Sequence, residues 1–178
     1  MLKPLADADW PDSLADMKNG FATQLNVYRS MAHYPALLAA WKNFRNHVVL
    51  NSCLTPQQSE IVIIRTGVRL GSEYEWKHHV CRGRKVGLSD QQILSLRGSL
   101  DSMADTDKIL CAAVDELFDT KCLGPFLQEA LTELVGQYGV MDVIATVSHY
   151  TFLGYFLNTF AVPLDENISK ELTEHPIE

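Results

Sequence analysis

Apolar residues recur at helical spacing along almost the whole chain, and this periodicity limits the possible folds more than any other feature. The segment 37–48 shows it well, because leucine, tryptophan, phenylalanine and valine stand there three or four positions apart and share one broad helical face. Alternation of apolar and polar residues over the length of a strand is scarce. We therefore predict an all-α fold.

Capping signals divide this periodic sequence into separate helices. Thr55-Pro56-Gln57-Gln58 provides a hydroxyl cap, a proline at the first helical position and a glutamine at the third. Ser72 and Ser89 are the predicted caps of the next two helices, and Gly71 and Gly87 are predicted helix ends. Further helices are expected over 105–121, 126–138 and 140–160.

Composition fits one ordinary folded domain over residues 1–178. The chain has 178 residues, of which 47% are hydrophobic and 21% charged, and it has no internal repeat and no linker-like segment. There are 22 acidic residues against 15 Lys and Arg, giving a net charge of -7. Nucleic acid is therefore not an expected partner, because binding to phosphates requires a basic surface.

Two further segments of the sequence indicate the cellular location of the protein and whether it enters a membrane. The amino-terminal MLKPLADADWPD lacks the basic and apolar regions of a secretory signal, so we expect a cytoplasmic protein whose four cysteines are reduced, buried thiols. The stretch Val140 to Val162 is long enough for a bilayer, but Asp142, His149 and Asn158 interrupt it. We predict a core helix there, and no membrane partner.

The densest group of titratable residues lies in one predicted helix. Ser72, Glu75 and His79 share a helical face, and Glu75 and His79 are four residues apart, so their side chains can hydrogen-bond. A carboxylate beside an imidazole raises the pKa of that imidazole and fixes which nitrogen holds the proton. The neighbouring His78 points about 100° away. Such pairs also occur on solvated helix faces, so the spacing alone does not establish a functional site.

The order Glu60, Ser72, Glu75, His79 resembles the signature of the carboxymuconolactone decarboxylase superfamily, which includes the alkylhydroperoxidase D (AhpD) proteins. That signature is a glutamate, then two cysteines separated by two residues, then a histidine, at the same spacing. Similar segments elsewhere extend the resemblance over residues 28–164: Met31–Pro35, Gly87–Asp90 and Tyr150–Leu164. It implies an AhpD-like multi-helical bundle that forms homotrimers or homohexamers. The very apolar last predicted helix independently suggests burial between subunits.

The departures from the signature favour one branch of the superfamily. The two cysteine positions hold Ser72 and Glu75, neither of which can perform the thiol and disulfide chemistry of the peroxidases. Glu75 and His79 instead match the Glu-x-x-x-His of the decarboxylases. The resemblance thus implies a cofactor-free carboxy-lyase acting on a small carboxylated or lactone metabolite. Such an enzyme removes carbon dioxide and returns a proton to carbon.

Catalytic and substrate-binding residues are predicted accordingly. His79 is the expected proton shuttle, Glu75 and Glu60 orient it and tune its pKa, and Ser72 donates a hydrogen bond. The expected substrate contacts are listed here: Arg82, Arg65 and His33. A structural role stays open for each of these three, and His149 is expected in a core or interface, bonded to a carbonyl. No metal site is predicted, because Glu75, His78 and His79 lack a third correctly spaced donor.

Two alternatives remain open on the sequence. One is an alkylhydroperoxidase-like antioxidant that uses a non-standard thiol, with Cys81 as the candidate close to His79. Its position two residues after His79 turns it about 200° from the site, which favours a buried thiol instead. The other is a non-catalytic helical binding protein, which would be favoured if Glu75 and His79 lay exposed on a flat face.

Overall fold

The computed structural model describes residues 2–177, and within that range the chain contains nine α-helices and no strand. The all-α prediction is confirmed. Short 3-10 turns occur before α2 and before α7, and a π-helical turn, His47–Asn51, follows α3. The helices are α1 (Ala15–Lys18), α2 (Asn26–Met31), α3 (Pro35–Asn46), α4 (Pro56–Arg69), α5 (Glu73–Lys85), α6 (Asp90–Ser95), α7 (Asp105–Thr120), α8 (Pro125–Phe160) and α9 (Glu166–Glu174).

The predicted caps lie where the sequence placed them. At the start of α4, the Thr55 hydroxyl accepts from the Gln58 backbone N–H at 3.2 Å, while the Gln58 side chain accepts from the Thr55 N–H at 2.9 Å. This reciprocal pair satisfies two N–H groups that have no partner within the helix. Ser89 caps α6 with one hydrogen bond, its hydroxyl accepting from the Gln92 backbone N–H at 3.2 Å. Gly71 ends α4 at a positive φ of 59°, which glycine adopts without strain.

The two helices predicted over 126–138 and 140–160 are the two helical segments of α8. They meet at Gly136, where a φ of 74° breaks the helical backbone. By length and composition alone α8 could cross a membrane, and 56% of its apolar window is buried inside the protein. Several of its large apolar side chains are nevertheless exposed: Tyr138, Met141, Ile144 and Tyr155. Oligomerisation through this surface stays a prediction.

Helix α4 is the centre of the main core and packs against α5, α7 and α8. Every residue from Glu60 to Gly67 on α4 is buried, which explains the run of β-branched residues within a helix. Gly67 allows α5 to approach closely, because a Cβ there would lie 3.2 Å from the Cβ of Glu75. A second core joins the amino-terminal helices to α8 through Met31, Leu38, Trp41, Tyr150 and Leu153.

The prediction that all four cysteines are buried is half wrong. Cys81 and Cys111 are buried within helices, whereas Cys53 and Cys122 are exposed. The exposed pair lie in segments between helices, where little of the chain packs over them.

Candidate functional site

His79 is held between two buried carboxylates that come from different helices. Its Nδ1 lies 2.6 Å from Glu60 Oε2 on α4, and its Nε2 lies 3.3 Å from Glu75 Oε2, one turn earlier on α5. The exposed fractions are 2% for His79, 4% for Glu75 and 9% for Glu60. The predicted pairing of Glu75 with His79 is therefore present, and it is buried and not on a solvated surface.

The connection between α4 and α5 explains how Glu60 reaches His79. Leu70, Gly71 and Ser72 link the two helices, and such a short link makes them antiparallel neighbours. Glu60 lies nine residues before the last residue of α4 and His79 six residues after the first residue of α5, and the hydrogen bond between their side chains joins the two helices there. The capping box at Thr55 fixes where α4 begins.

Electrostatics favour a protonated His79. Burial works against the charged ring, but the Glu60 carboxylate, through its charge and its hydrogen bond, and the hydrogen bond to Glu75 outweigh it, so the pKa of His79 is raised above its ordinary value. An imidazolium has two N–H donors, and each has a carboxylate acceptor here. His79 can therefore hold a proton in a buried position and pass it to either Glu60 or Glu75.

Two cavities border this group. The smaller, of about 20 Å³, touches Glu75 and His79 and has room for about one water molecule. The larger, of about 450 Å³, touches Glu60 and is within the usual size range of ligand pockets. Arg82 and Tyr150 line both. The other walls of the larger cavity are mostly apolar: Val48, Val49, Leu50, Leu54, Pro56, Ile63 and Val86, with Ser52 and Ser59.

Arg82, a predicted substrate contact, lies at the boundary between the two cavities. The structure gives its guanidinium no hydrogen bond and no ion pair within 4 Å to any residue of the range 2–177. Glu60, Glu75 and Tyr150 are its electrostatic neighbours. A half-buried cation without a direct partner can bind an anionic ligand without first breaking an ion pair.

Tyr150 is a site residue to which the sequence analysis gave no role. Tyr150 is buried. Its ring and the His79 ring pack edge to face, with their centroids 5.1 Å apart. Burial raises the pKa of its hydroxyl well above the ordinary value, so the group remains a hydrogen-bond donor. Only the family resemblance of 150–164 drew attention to this segment, since helical spacing does not show which face of α8 meets α5.

Arg65, a predicted substrate contact, forms a structural cross-link in the fold. Its Nε donates to Asp115 Oδ1 at 2.9 Å, and its Nη1 donates to the carbonyl oxygens of Leu96 and Gly98 at 2.9 and 3.0 Å. The side chain is buried against α7 and borders neither cavity. Its donors are occupied in joining α4 to α7 and to the segment after α6.

His33 and Ser72 also lie outside both cavities. His33 is exposed, and one ring nitrogen lies 2.8 Å from the Lys3 carbonyl oxygen, so it fastens the amino-terminal segment. Ser72 is buried at the start of α5, where its hydroxyl accepts from the Glu75 N–H at 3.5 Å. These contacts are structural, and the roles of His33 in substrate binding and of Ser72 as a site donor stay predictions.

His78 belongs to a separate buried network that the sequence did not reveal. Asp165, just before α9, accepts from His78 Nε2 at 2.9 Å, from the Asn26 backbone N–H at 2.9 Å and from the Tyr74 hydroxyl. Burial acts against the ionised carboxyl, but hydrogen bonds led by His78 and Tyr74 outweigh it and hold the pKa of Asp165 low. This network joins α5 to the two ends of the chain.

His149 is buried as predicted, but the expected hydrogen bond to a carbonyl is absent. Neither of its ring nitrogens has a partner within residues 2–177. The ring stacks on Trp41 with centroids 4.5 Å apart, and burial lowers the pKa of His149 to about 3. It therefore acts as a neutral aromatic core residue.

The buried environment of Cys81 disfavours thiol chemistry. Cys81 is fully buried, and burial together with the nearby Glu171 raises the pKa of its thiol to about 11. A thiol in this environment is protonated at neutral pH and is a poor nucleophile.

Across residues 2–177, no three His, Cys, Asp or Glu side chains are arranged to hold a metal ion.

Comparisons with known proteins agree with this architecture. The crystal structure of the apo debrominase Bmp8 has a TM-score of 0.76 and 14% identity, and the match covers 100% of this chain and 98% of that one. The same scores describe a complex of a Bmp8 cysteine-to-alanine variant with 2,3,4-tribromopyrrole, of which 97% is covered. A peroxidase-related protein from Ralstonia eutropha JMP134 with an alkylhydroperoxidase AhpD core has a TM-score of 0.79 and 14% identity over 94% of this chain and 95% of that one.

At this identity, the likeness establishes the AhpD-like fold and does not establish an activity. No curated protein matches the sequence. Residues 35–117, which contain Glu60, Glu75, His79 and Arg82, match the model of the carboxymuconolactone decarboxylase family. The predicted resemblance is thus confirmed: residues 35–117 match the carboxymuconolactone decarboxylase family model, and the chain has an AhpD-like fold.

Proposed function

We propose that this protein is a cofactor-independent enzyme that transfers a proton to or from a small carboxylated or lactone metabolite, in a decarboxylation or isomerisation. The observation that carries the proposal is the position of His79. It forms a buried pair with Glu60, and Glu60 borders a ligand-sized cavity that also contains the unpaired Arg82. These groups supply an acid and an anion-binding cation, two of the requirements of such a reaction.

The geometry suggests a particular order of events for a decarboxylation. Arg82 holds a retained anionic group of the substrate, and the bond from carbon to the leaving carboxylate breaks. The electron pair of that bond moves into the conjugated carbonyl, and carbon dioxide departs. His79 passes its proton to the Glu60 carboxylate, and Glu60 delivers that proton to the carbanionic carbon and becomes a carboxylate again; His79 then regains a proton from solvent. In this scheme Glu60 contacts the substrate, because Glu60 and not His79 borders the larger cavity.

Support for the peroxidase alternative is weaker. The signature positions for the two thiols hold Ser72 and Glu75, and the Cys81 thiol has a pKa raised to about 11 by its burial. Reduction of a peroxide requires a thiolate that a second thiol can resolve. The non-catalytic alternative is also less favoured, because Glu75 and His79 are buried beside cavities and do not lie on a flat exposed face.

A side-by-side assay tests the proposal. The purified protein is supplied with γ-carboxymuconolactone, with related carboxylated lactones and with an organic hydroperoxide, and loss of each compound is followed. We expect turnover of a lactone and a loss of about 10²-fold or more in kcat for His79→Ala, the usual size of an acid–base contribution. His175→Ala is the matched control, since His175 is exposed and lines neither cavity, and it should retain activity. Hydroperoxide turnover alone, or unchanged kcat in a folded His79→Ala protein, would reject the proposal.

A further inference from the structure

The larger cavity combines a small polar base with apolar walls. Of the described residues that line it, Arg82 is the one cation and Glu60 the one carboxylate, and Tyr150 adds a hydroxyl beside them. Seven of the nine remaining lining residues are apolar, and the other two are Ser52, whose hydroxyl donates to Asp142, and Ser59. Apart from these two serines, the polar side chains that a ligand in this space meets are Arg82, Glu60 and Tyr150.

Two donors at the polar base have no acceptor among residues 2–177. Arg82 makes no hydrogen bond within residues 2–177, and the Tyr150 hydroxyl makes none there either. Buried polar groups normally have partners, and a Tyr hydroxyl in a core almost always does. The two side chains border the same pair of cavities, and each is a principal electrostatic neighbour of the other.

The chemistry of these donors indicates what they bind. A guanidinium and a phenol hydroxyl both donate and neither accepts strongly, so together they suit an oxygen that carries negative charge. The phenol hydroxyl stays protonated because Tyr150 is buried. Glu60, on the same cavity, would repel an anion placed against it, so the anionic oxygen belongs on the side of Arg82 and Tyr150.

We propose that Tyr150 and Arg82 form a two-donor clamp for an anionic oxygen, and that the ligand is an amphipathic anion whose remaining atoms are mainly apolar. This inference rests on the proposed function in taking the larger cavity as the substrate site. It adds a residue, Tyr150, that contacts the substrate. It also specifies the substrate class, because polyhydroxylated acids would leave hydroxyl groups unpaired against the apolar walls at a large cost.

Binding of two matched acids tests the proposal without any need for turnover. Cyclohexanecarboxylate and quinate share a ring and a carboxylate, but quinate also has four hydroxyl groups on the ring. Isothermal titration calorimetry should show saturable binding of cyclohexanecarboxylate and binding of quinate at least about tenfold weaker. Arg82→Gln should weaken cyclohexanecarboxylate binding about tenfold or more, and Tyr150→Phe should weaken it several-fold, the usual effects of removing a charged and a neutral donor.

Control variants separate the clamp from general effects. Tyr138→Phe changes an exposed tyrosine of α8, and Arg97→Gln removes an arginine that borders neither cavity, so both should bind as the unmodified protein does. Circular dichroism establishes that each variant is folded. Tyr150→Phe keeps the ring, and it tests the clamp even if Arg82→Gln does not fold.

Three results would each overturn the inference: no saturable binding of cyclohexanecarboxylate at millimolar concentration, quinate binding as tight as cyclohexanecarboxylate binding, or unchanged affinity in Tyr150→Phe. Failure of the proposed function would look different. The acids would then bind as expected, while no lactone would be turned over or kcat would be unchanged in His79→Ala.

Discussion

Replacement of Glu60 by glutamine removes one charge from the buried group around His79 while nearly preserving the shape of the side chain. Glu60 is 9% exposed, and its carboxylate lies 2.6 Å from the His79 ring. Loss of one partner from a buried ion pair typically costs about 3–5 kcal/mol of unfolding free energy. Because Glu75 still pairs with His79, we expect Glu60→Gln to cost about 3 kcal/mol, the lower end of that range.

The pH dependence of this loss has a definite sign. The pKa of His79 is raised in the folded protein above its ordinary value of 6.5, which also holds for the unfolded chain. Proton binding to His79 therefore stabilises the folded state fully below about pH 6.5, and this contribution is lost as the pH rises through the folded pKa. Without the Glu60 charge, burial lowers that pKa, so the destabilisation should be largest at low pH and should shrink towards alkaline pH.

Urea unfolding followed by tryptophan fluorescence at pH 6, 7 and 8 measures the effect. The matched control is Glu73→Gln on α5, whose carboxylate is 65% exposed and forms only surface ion pairs, so its expected effect is below about 0.5 kcal/mol. Equal unfolding free energies for Glu60→Gln and the unmodified protein at pH 6 would refute the reasoning. So would a destabilisation that grows with rising pH.

Two further predictions follow from the packing. Asp115→Asn should lower the unfolding free energy by about 3 kcal/mol, because it leaves the buried Arg65 guanidinium without its counter-ion; a change below about 1 kcal/mol in urea unfolding would contradict the cross-link. The exposed apolar side chains of α8, with the groove of about 570 Å³ that Ile144 and Tyr155 help to line, should be covered by another copy of the chain. Sedimentation at micromolar concentration should then give a trimer or hexamer mass, Tyr155→Asp should reduce it, and a monomer mass would contradict the prediction.

Local signals in the sequence determined much of the helical framework. The capping box at Thr55, the caps at Ser72 and Ser89 and the stop at Gly71 depend on neighbours within four residues, so the residues alone indicate them. The pairing of Glu75 with His79 depends only on spacing within one helix. The helix boundary predicted at 138–140 lies close to the observed break at Gly136. The geometry of that break was not predicted, because a flexible backbone position does not reveal how two helical segments join.

Contacts between distant segments were decided by the tertiary structure alone. Arg65 and Arg82 looked alike as candidate substrate contacts, yet the first pairs with Asp115, fifty residues away, and the second borders the cavities. Tyr150 received no role, and Asp165 gave no sign that it would hold His78. The sequence determined which residues can share a helical face, because that is fixed within a few bonds. Which face meets which neighbour depends on how all the helices pack together, and so burial, pKa and access to a ligand were settled only by the fold.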